Sequence, residues 1–329
     1  MKEYRAIIAG TGHALPPGVL TNADLEKIVE TTDEWITSRT GIKERHKAAP
    51  EEYTSQFATA AARQALGRAK VDPADLDLII CATVCPDMTL PSTAVFIQSQ
   101  LGAKRAAAFD LTAACSGFLY ALTIADQFIR TGVHRHILII GAELLTRYVD
   151  YTDRGTCVIF GDGAGAAVVT RSDDDRRGVL AARIQSDGDY ADFLYTPGGG
   201  TRYPASPESI NQRLHFIKMR GNELFKVAVR SMEEISRQVL DQAKMTPSDI
   251  DLLVPHQANQ RITDAVADRL AMPAEKVYSN IARIGNTSSA SIPICLDELA
   301  TAGKLHPGMI VMLTAFGAGA TWGSVLLRW

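Results

Sequence analysis

A stretch of eighteen residues occurs twice in this chain. Residues 63–80 read RQALGRAKVDPADLDLII, and residues 237–254 read RQVLDQAKMTPSDIDLLV. Aligned without gaps, nine of the eighteen positions are identical and most others are conservative exchanges. Each copy holds an amphipathic helix, a Pro-Ala/Ser-Asp turn and a short apolar strand. A match of that length is a duplication, so the chain should be built from two related halves. Its 329 residues exceed the usual size of one hydrophobic core, which agrees with that reading.

The halves can be followed past the repeat. After the first repeat come a helix over about 91–100, a strand over 106–111, and a helix opened by Cys115 that ends at Thr131-Gly132. That glycine stands where a helix C-cap takes a left-handed residue. The strand HILIIGAE follows. In the second half, Asn286 leads into a helix ending at Ala302-Gly303, and the strand GMIVMLTAF follows. Counting back from the two capping glycines puts Cys115 and Asn286 at equivalent places. Strands alternating with helices, apolar nearly throughout, predict α/β layering with a covered, mixed sheet in each half. The charged segment over 172–181 is the expected join, giving halves 1–175 and 176–329. Residues 187–212 lose the pattern and are expected to form a lid or entrance loop.

Composition narrows the function. A net charge of −3 with no dense Lys/Arg block gives no footing for nucleic acid. No apolar run is long enough to span a bilayer, and the N-terminus lacks a signal-peptide core, so a cytoplasmic protein is expected. The five cysteines are Cys81, Cys85, Cys115, Cys157 and Cys295. An odd count in a large chain argues for reduced thiols, and four of them read as small buried hydrophobes. Cys81 and Cys85 have no His or Cys partner at zinc spacing, so no metal is expected. GDGAGAA (161–167) leads into a strand and lacks nucleotide-loop spacing, so it reads as a structural turn.

Three residues carry chemistry. Cys115 lies between Thr112-Ala113-Ala114 and the helix SGFLYALTIADQFIR. A helix N-terminus favours the thiolate, yet a buried core cysteine fits this segment equally well. His256, in DLLVPHQANQRI, leaves the C-terminal end of the second repeat's strand, the edge where α/β sheets gather substrates. Asn286, in RIGNTSSASIP, reads locally as an N-cap, and its equivalence to Cys115 raises it to a site candidate.

AACSGF, PHQAN, GNTSSAS, GDGAG and AFGAGATWGS, with TTDEWITSRTGIKERH and TDRGT, together resemble the β-ketoacyl-acyl-carrier-protein synthase III family of thiolase-like condensing enzymes. The resemblance runs from Gly10 to Trp329. It implies a five-layer αβαβα thiolase-like fold in a homodimer, and a decarboxylating Claisen condensation that initiates fatty acid synthesis. An acyl-CoA would load Cys115, and a malonyl-acyl-carrier protein would supply the carbanion. His256 and Asn286 would bind the malonyl thioester oxygen, and the N–H groups of Cys115 and Ala318 would form the oxyanion hole. The resemblance further implies Trp35, Arg39 and Arg154 at the coenzyme A nucleotide, Phe160 at the substrate, and Leu90 where some members carry an aromatic that reaches into the partner's acyl pocket. Lys226 and the run Gln257, Ala258, Asn259, Gln260 and Arg261 would meet the carrier protein or its phosphopantetheine arm. No cofactor beyond the thioester is implied.

The chain departs from the family's pattern at several positions. Ala318 stands where many members have Gly, so its backbone should avoid glycine-only conformations. Ala320 and Leu90 are smaller than usual and suggest a reshaped acyl pocket. Asp268-Arg269 offers one base where some members have two. An alternative reading is a secondary-metabolism ketosynthase or acyltransferase that takes a longer or aromatic starter. A non-catalytic partner subunit should lack the nucleophile or a donor, and this chain has all three residues.

Overall fold

The structure, a computed structural model, describes residues 4–329 apart from Asp173 and Asp175. The first half contributes β1 (Arg5–Ala14), β2 (Val19–Thr21), α1 (Asn22–Leu25), α2 (Asp33–Thr40), β3 (Glu44–His46), α3 (Thr54–Ala69), β4 (Leu78–Ala82), α4 (Thr93–Leu101), β5 (Ala107–Leu111), α5 (Gly117–Arg130), β6 (His136–Leu144), α6 (Arg154–Cys157) and β7 (Asp162–Ser172). The second contributes β8 (Gly178–Ser186), β9 (Leu194–Tyr195), α7 (Pro207–Asn211), β10 (Lys218–Met219), α8 (Gly221–Ala243), β11 (Leu252–Pro255), α9 (Gln260–Arg269), α10 (Ile281–Ile284), α11 (Ser291–Thr301), β12 (Ile310–Gly317) and β13 (Thr321–Arg328).

The duplicated segments fold alike, and their shared residues say why. α3 and α8 both end on a lysine in the left-handed region, Lys70 at φ 54° and Lys244 at φ 56°. A single 3-10 turn then starts at Pro73 or Pro247, where the missing N–H costs nothing. The repeated aspartates do equivalent work. Asp77 accepts the backbone N–H of His136 at the start of β6, and Asp251 accepts that of Ile310 at the start of β12. Each repeat therefore delivers its strand and pins the parallel neighbour beside it.

Two sheets result, ordered β1-β7-β6-β4-β5 and β8-β13-β12-β11. In both, the two strands next to the duplicated helix and turn are parallel and the outer pair antiparallel. Side chains alternate across the strands. Leu78 and Ile80 of β4 join Val254 and Leu313 of the other sheet around α5 and α11, while Ile79 and Cys81 pack outward under α3 and α4. Leu253 and Met312 pack outward under α8 and α9. The order helix, sheet, helix pair, sheet, helix is the five-layer αβαβα fold.

Three sequence expectations change. GDGAGAA is not a turn: six of its residues lie in β7, and its glycines let α11 approach, since a Cβ on Gly165 would come within 2.8 Å of Pro293. The pairing of Cys115 with Asn286 also shifts. α5 has 14 residues and α11 has 11, so counting from the helix starts sets Cys115 against Ser289. Ala114 (φ 45°) and Ser288 (φ 49°) mark that register. Residues 187–212, read as loop, include the short α7 and strand β9, which pairs with β10. The boundary at 175/176 falls on Asp175, outside the described residues.

Among the described residues no helix is long and apolar enough to cross a membrane. All five cysteines are free and buried.

Candidate active site

The two halves place their equivalent turns across each other's sheets. The 3-10 turn Ala114–Ser116 lies against β12 and β13, and the turn Ser288–Ala290 lies against β6. Each crossing requires glycine. A Cβ on Gly317 would stand 2.7 Å from the Cys115 nitrogen, and one on Gly141 would stand 2.2 Å from the Ser289 carbonyl oxygen. Side-chain locks finish the first crossing: Ser116 donates to the Thr321 carbonyl at 3.0 Å, and Thr321 donates to the Ala113 carbonyl at 2.8 Å.

Cys115 is 7% exposed and lines two cavities. One, of about 330 Å³, is called the inner cavity for its place on the acyl side of Cys115 in the proposed reaction, and is walled by Val84, Leu145, Phe160, Ile217, Ala318 and the segment around Leu194. The other, the outer cavity, of about 110 Å³, is bounded by His256, Asn286, Phe225 and Phe316. Phe160 lies between them and pairs by a β-bridge with Asn286. Within 187–212, Leu194, Tyr195, Thr196 and Gly198 form wall of the inner cavity.

The helix start does not lower the Cys115 thiol. Burial pushes it up to about 12, against the neighbouring Ser288 side chain, which works the other way. Desolvation of a thiolate outweighs the helix end here.

His256, 2% exposed, follows β11 directly. Its Nδ1 lies 2.7 Å from the Ser291 hydroxyl, which also accepts the Gln257 N–H. Among the described residues Nδ1 is the one acceptor within reach of that hydroxyl, so its proton goes to Nδ1 and Nε2 becomes the N–H donor. Nε2 is buried and has no hydrogen-bond partner among the described residues. Burial also pulls the imidazole down to about 3, so it is neutral at physiological pH. Asn286 is held by its backbone to Ile159 and Gly161, and its Oδ1 accepts the Ser288 N–H at 2.9 Å. That leaves the Nδ2 protons for the cavity. Two neutral N–H donors thus share one desolvated space with a buried thiol.

Ala318 lines the inner cavity with Cys115, and its φ is not positive. The left-handed burden falls on Gly319 at φ 136°. Trp35 is enclosed by two guanidiniums, with Arg39 at 4.8 Å and Arg154 at 4.5 Å from its ring. Asn259, whose side chain caps α9 and donates to the Arg39 carbonyl at 3.0 Å, ties this cluster to the outer cavity, which Asn259 and Ala258 line. Arg261 lies over the ring of Phe225, another lining residue, and Lys226 beside it is exposed.

Several residues stand elsewhere than expected. Gln257 is fully buried; its amide bonds the Pro255 carbonyl, Ser279 and the Asn280 N–H, so it cannot meet a carrier protein. Gln260 is engaged with Asp264 and Ser279. Leu90, which the resemblance places at a partner's acyl pocket, is 85% exposed and lines neither cavity of its own chain, so no contradiction arises there. Ala320 packs in the outward core of the second sheet, so its small size does not enlarge the acyl pocket.

Sequence reasoning missed Ser288, Ser291 and Glu143. A charged residue closing the apolar strand HILIIGAE was a visible signal, since lone carboxylates are rarely buried without purpose. The serines had no such signal.

Matches to known proteins agree with this geometry. Residues 109–188 match the family model of 3-oxoacyl-[acyl-carrier-protein] synthase III, and residues 240–329 match the model of its C-terminal part. A β-ketoacyl-[acyl-carrier-protein] synthase III of Caldanaerobacter subterraneus is 52% identical, over 100% of this chain and 99% of the relative. The crystal structure of the Aquifex aeolicus synthase III superposes with a TM-score of 0.92 at 52% identity, covering 98% of this chain and 100% of that one. The priming β-ketosynthase of the R1128 polyketide pathway has a TM-score of 0.91 at 35% identity, covering 100% of this chain and 98% of that one.

Proposed function

Because the chain belongs to the β-ketoacyl-[acyl-carrier-protein] synthase III family, we propose that the condensation by which it initiates fatty acid synthesis runs through an acyl group held on Cys115. The observation that carries this reading is the shared space of Cys115, the His256 Nε2 and Asn286.

In the first half-reaction the Cys115 sulfur attacks the carbonyl carbon of acyl-coenzyme A, and the bond to the coenzyme A sulfur breaks. The N–H groups of Cys115 and Ala318 receive the developing oxyanion, and the acyl chain fills the inner cavity. In the second, a malonyl thioester on the acyl carrier protein enters the outer cavity. Its bond to the carboxylate breaks, CO₂ leaves, and the enolate oxygen takes hydrogen bonds from His256 and Asn286. The enolate carbon then bonds to the acyl carbonyl carbon, releasing the Cys115 sulfur. Neutral donors suit this step, because an imidazolium would protonate the carbanion. The reaction needs a thioester substrate and no resident cofactor.

At the entrance, the Trp35 ring with Arg39 and Arg154 offers stacking and charge to the coenzyme A nucleotide. Arg261 and Lys226 present positive charge to an acidic carrier. The reading with a longer or aromatic starter is not favoured, since the relatives near half identity are synthases III.

The chain pairs as a homodimer through β5 in this reading. β5 is a free sheet edge whose Phe109 is exposed, and Met88 and Leu90 are exposed just before α4. Such edges are normally covered. Leu90 would then serve the partner's site rather than its own.

Intact-mass measurement after incubation with acetyl-coenzyme A should show one acetyl group added, and Cys115→Ala should show none. Acetylation that persists in Cys115→Ala would refute the assignment.

A further inference from the structure

The mechanism above leaves the Cys115 proton without a destination. The thiol is buried and neutral, and His256 is a poor base with its lone-pair nitrogen committed to Ser291. One buried acid has no part in the reaction as described. Glu143, next to last in β6, is completely buried, and among the described residues no basic side chain pairs with it.

Its oxygens are held from three directions. Oε2 accepts the Val84 N–H at 3.0 Å and the Thr83 hydroxyl at 3.3 Å. Oε1 accepts the Ser288 hydroxyl at 3.1 Å and lies 2.9 Å from that of Ser289, whose one proton is shared between Glu143 and the Ala82 carbonyl. Ser288 lines the same cavity wall as Cys115, and its hydroxyl oxygen, with its own proton directed to Glu143, faces the thiol as an acceptor. A continuous path therefore runs from Cys115 Sγ to Ser288 Oγ to Glu143 Oε1. Ser288 is held for this at φ 49°, a conformation that non-glycine residues adopt at a cost and that is concentrated at functional sites.

We propose that Glu143, acting through Ser288, is a positioning residue that takes up the Cys115 proton during acyl loading and returns it during condensation. As Sγ attacks the thioester, its S–H bond breaks and the proton passes to Ser288 Oγ. The Ser288 proton moves to Glu143 Oε1, leaving a neutral carboxyl. The departing coenzyme A thiolate takes a proton from solvent. When the enolate displaces Sγ, the same path runs backwards and restores thiol and carboxylate. One proton is consumed per turnover, as conversion of the malonyl carboxylate to CO₂ requires.

Burial raises the Glu143 carboxyl to about 7, where a general base works best at neutral pH. The titratable groups facing it are Cys81 on β4, Cys85 on the following loop, Cys115 on the crossing turn and Tyr148 after β6. All four are neutral acids held above their ordinary values, so none competes for the proton near pH 7. Loading should therefore rise with pH through about 7, as the carboxyl becomes a carboxylate that can accept.

The proposal rests on Cys115 being the nucleophile. The test is single-turnover coenzyme A release from acetyl-coenzyme A between pH 5.5 and 9, with the rate of Cys115 alkylation by iodoacetamide followed in parallel. Glu143→Gln and Ser288→Ala should slow loading about 10²-fold at pH 7.5 and remove the limb near pH 7 from both profiles. Should Glu143→Gln not fold, Ser288→Ala still tests the path, because Glu143 then keeps Val84, Thr83 and Ser289. An unchanged limb in folded Ser288→Ala overturns the proposal. Loading that survives in Cys115→Ala overturns the nucleophile assignment instead.

Discussion

His256 and Asn286 illustrate how much a neutral donor can do when nothing else competes for it. Burial keeps the imidazole uncharged to about pH 3, and Ser291 sets its tautomer. The Ser288 N–H holds the Asn286 Oδ1 and so leaves the amide nitrogen to donate elsewhere. Replacing either with alanine should leave acetylation of Cys115 intact and slow CO₂ release from the malonyl thioester about 10²–10³-fold. Quenched-flow measurement of the two half-reactions checks this, and loss of acetylation with CO₂ release retained would reverse the roles. His256 and Cys115 were legible as residue types at a strand end and a helix start. Their ionisation was not, because it depends on burial by residues more than a hundred positions away. The helix-dipole argument gave the wrong direction for the thiol for that reason.

At the scale of elements, the duplication was the most informative feature, and it located the helix, turn and strand of each repeat and a mixed, covered sheet in each half. It failed where the copies have diverged in length. α11 is shorter than α5, so a count from the C-caps displaced Asn286 by one turn from the true equivalent of Cys115. The glycines of GDGAGAA misled similarly: absence of a Cβ serves close helix packing in β7, a use that local sequence does not distinguish from a turn. The same logic gives a sharp expectation at Gly317. A Cβ there meets backbone at 2.7 Å and must push the Cys115 turn away from β12. Gly317→Ala should fold, with a melting temperature lowered by several degrees, yet lose at least about 10²-fold in loading rate. Calorimetry and single-turnover kinetics separate the two effects.

For the molecule as a whole, alternation of strands and helices gave α/β layering and the family resemblance gave the five layers, while the fate of the surface could not be read that way. Leu90 looked like a residue of the partner's pocket by resemblance, and within one chain it is among the most exposed apolar groups. If β5 pairs with its own copy, Phe109→Lys or Leu90→Asp should shift sedimentation from dimer to monomer, and Leu90→Asp should weaken acyl loading as well. Sedimentation as a dimer by both variants would remove β5 as the interface. A last consequence follows from the position of Cys115 between an inner and an outer cavity. The acyl group can retire inward while the outer space empties, but two thioester arms cannot occupy that outer space together. Turnover should therefore be ping-pong, with parallel double-reciprocal lines. Free coenzyme A should compete with the carrier-bound substrate rather than with acyl-coenzyme A, making the enzyme sensitive to the ratio of free to acylated coenzyme A in its surroundings.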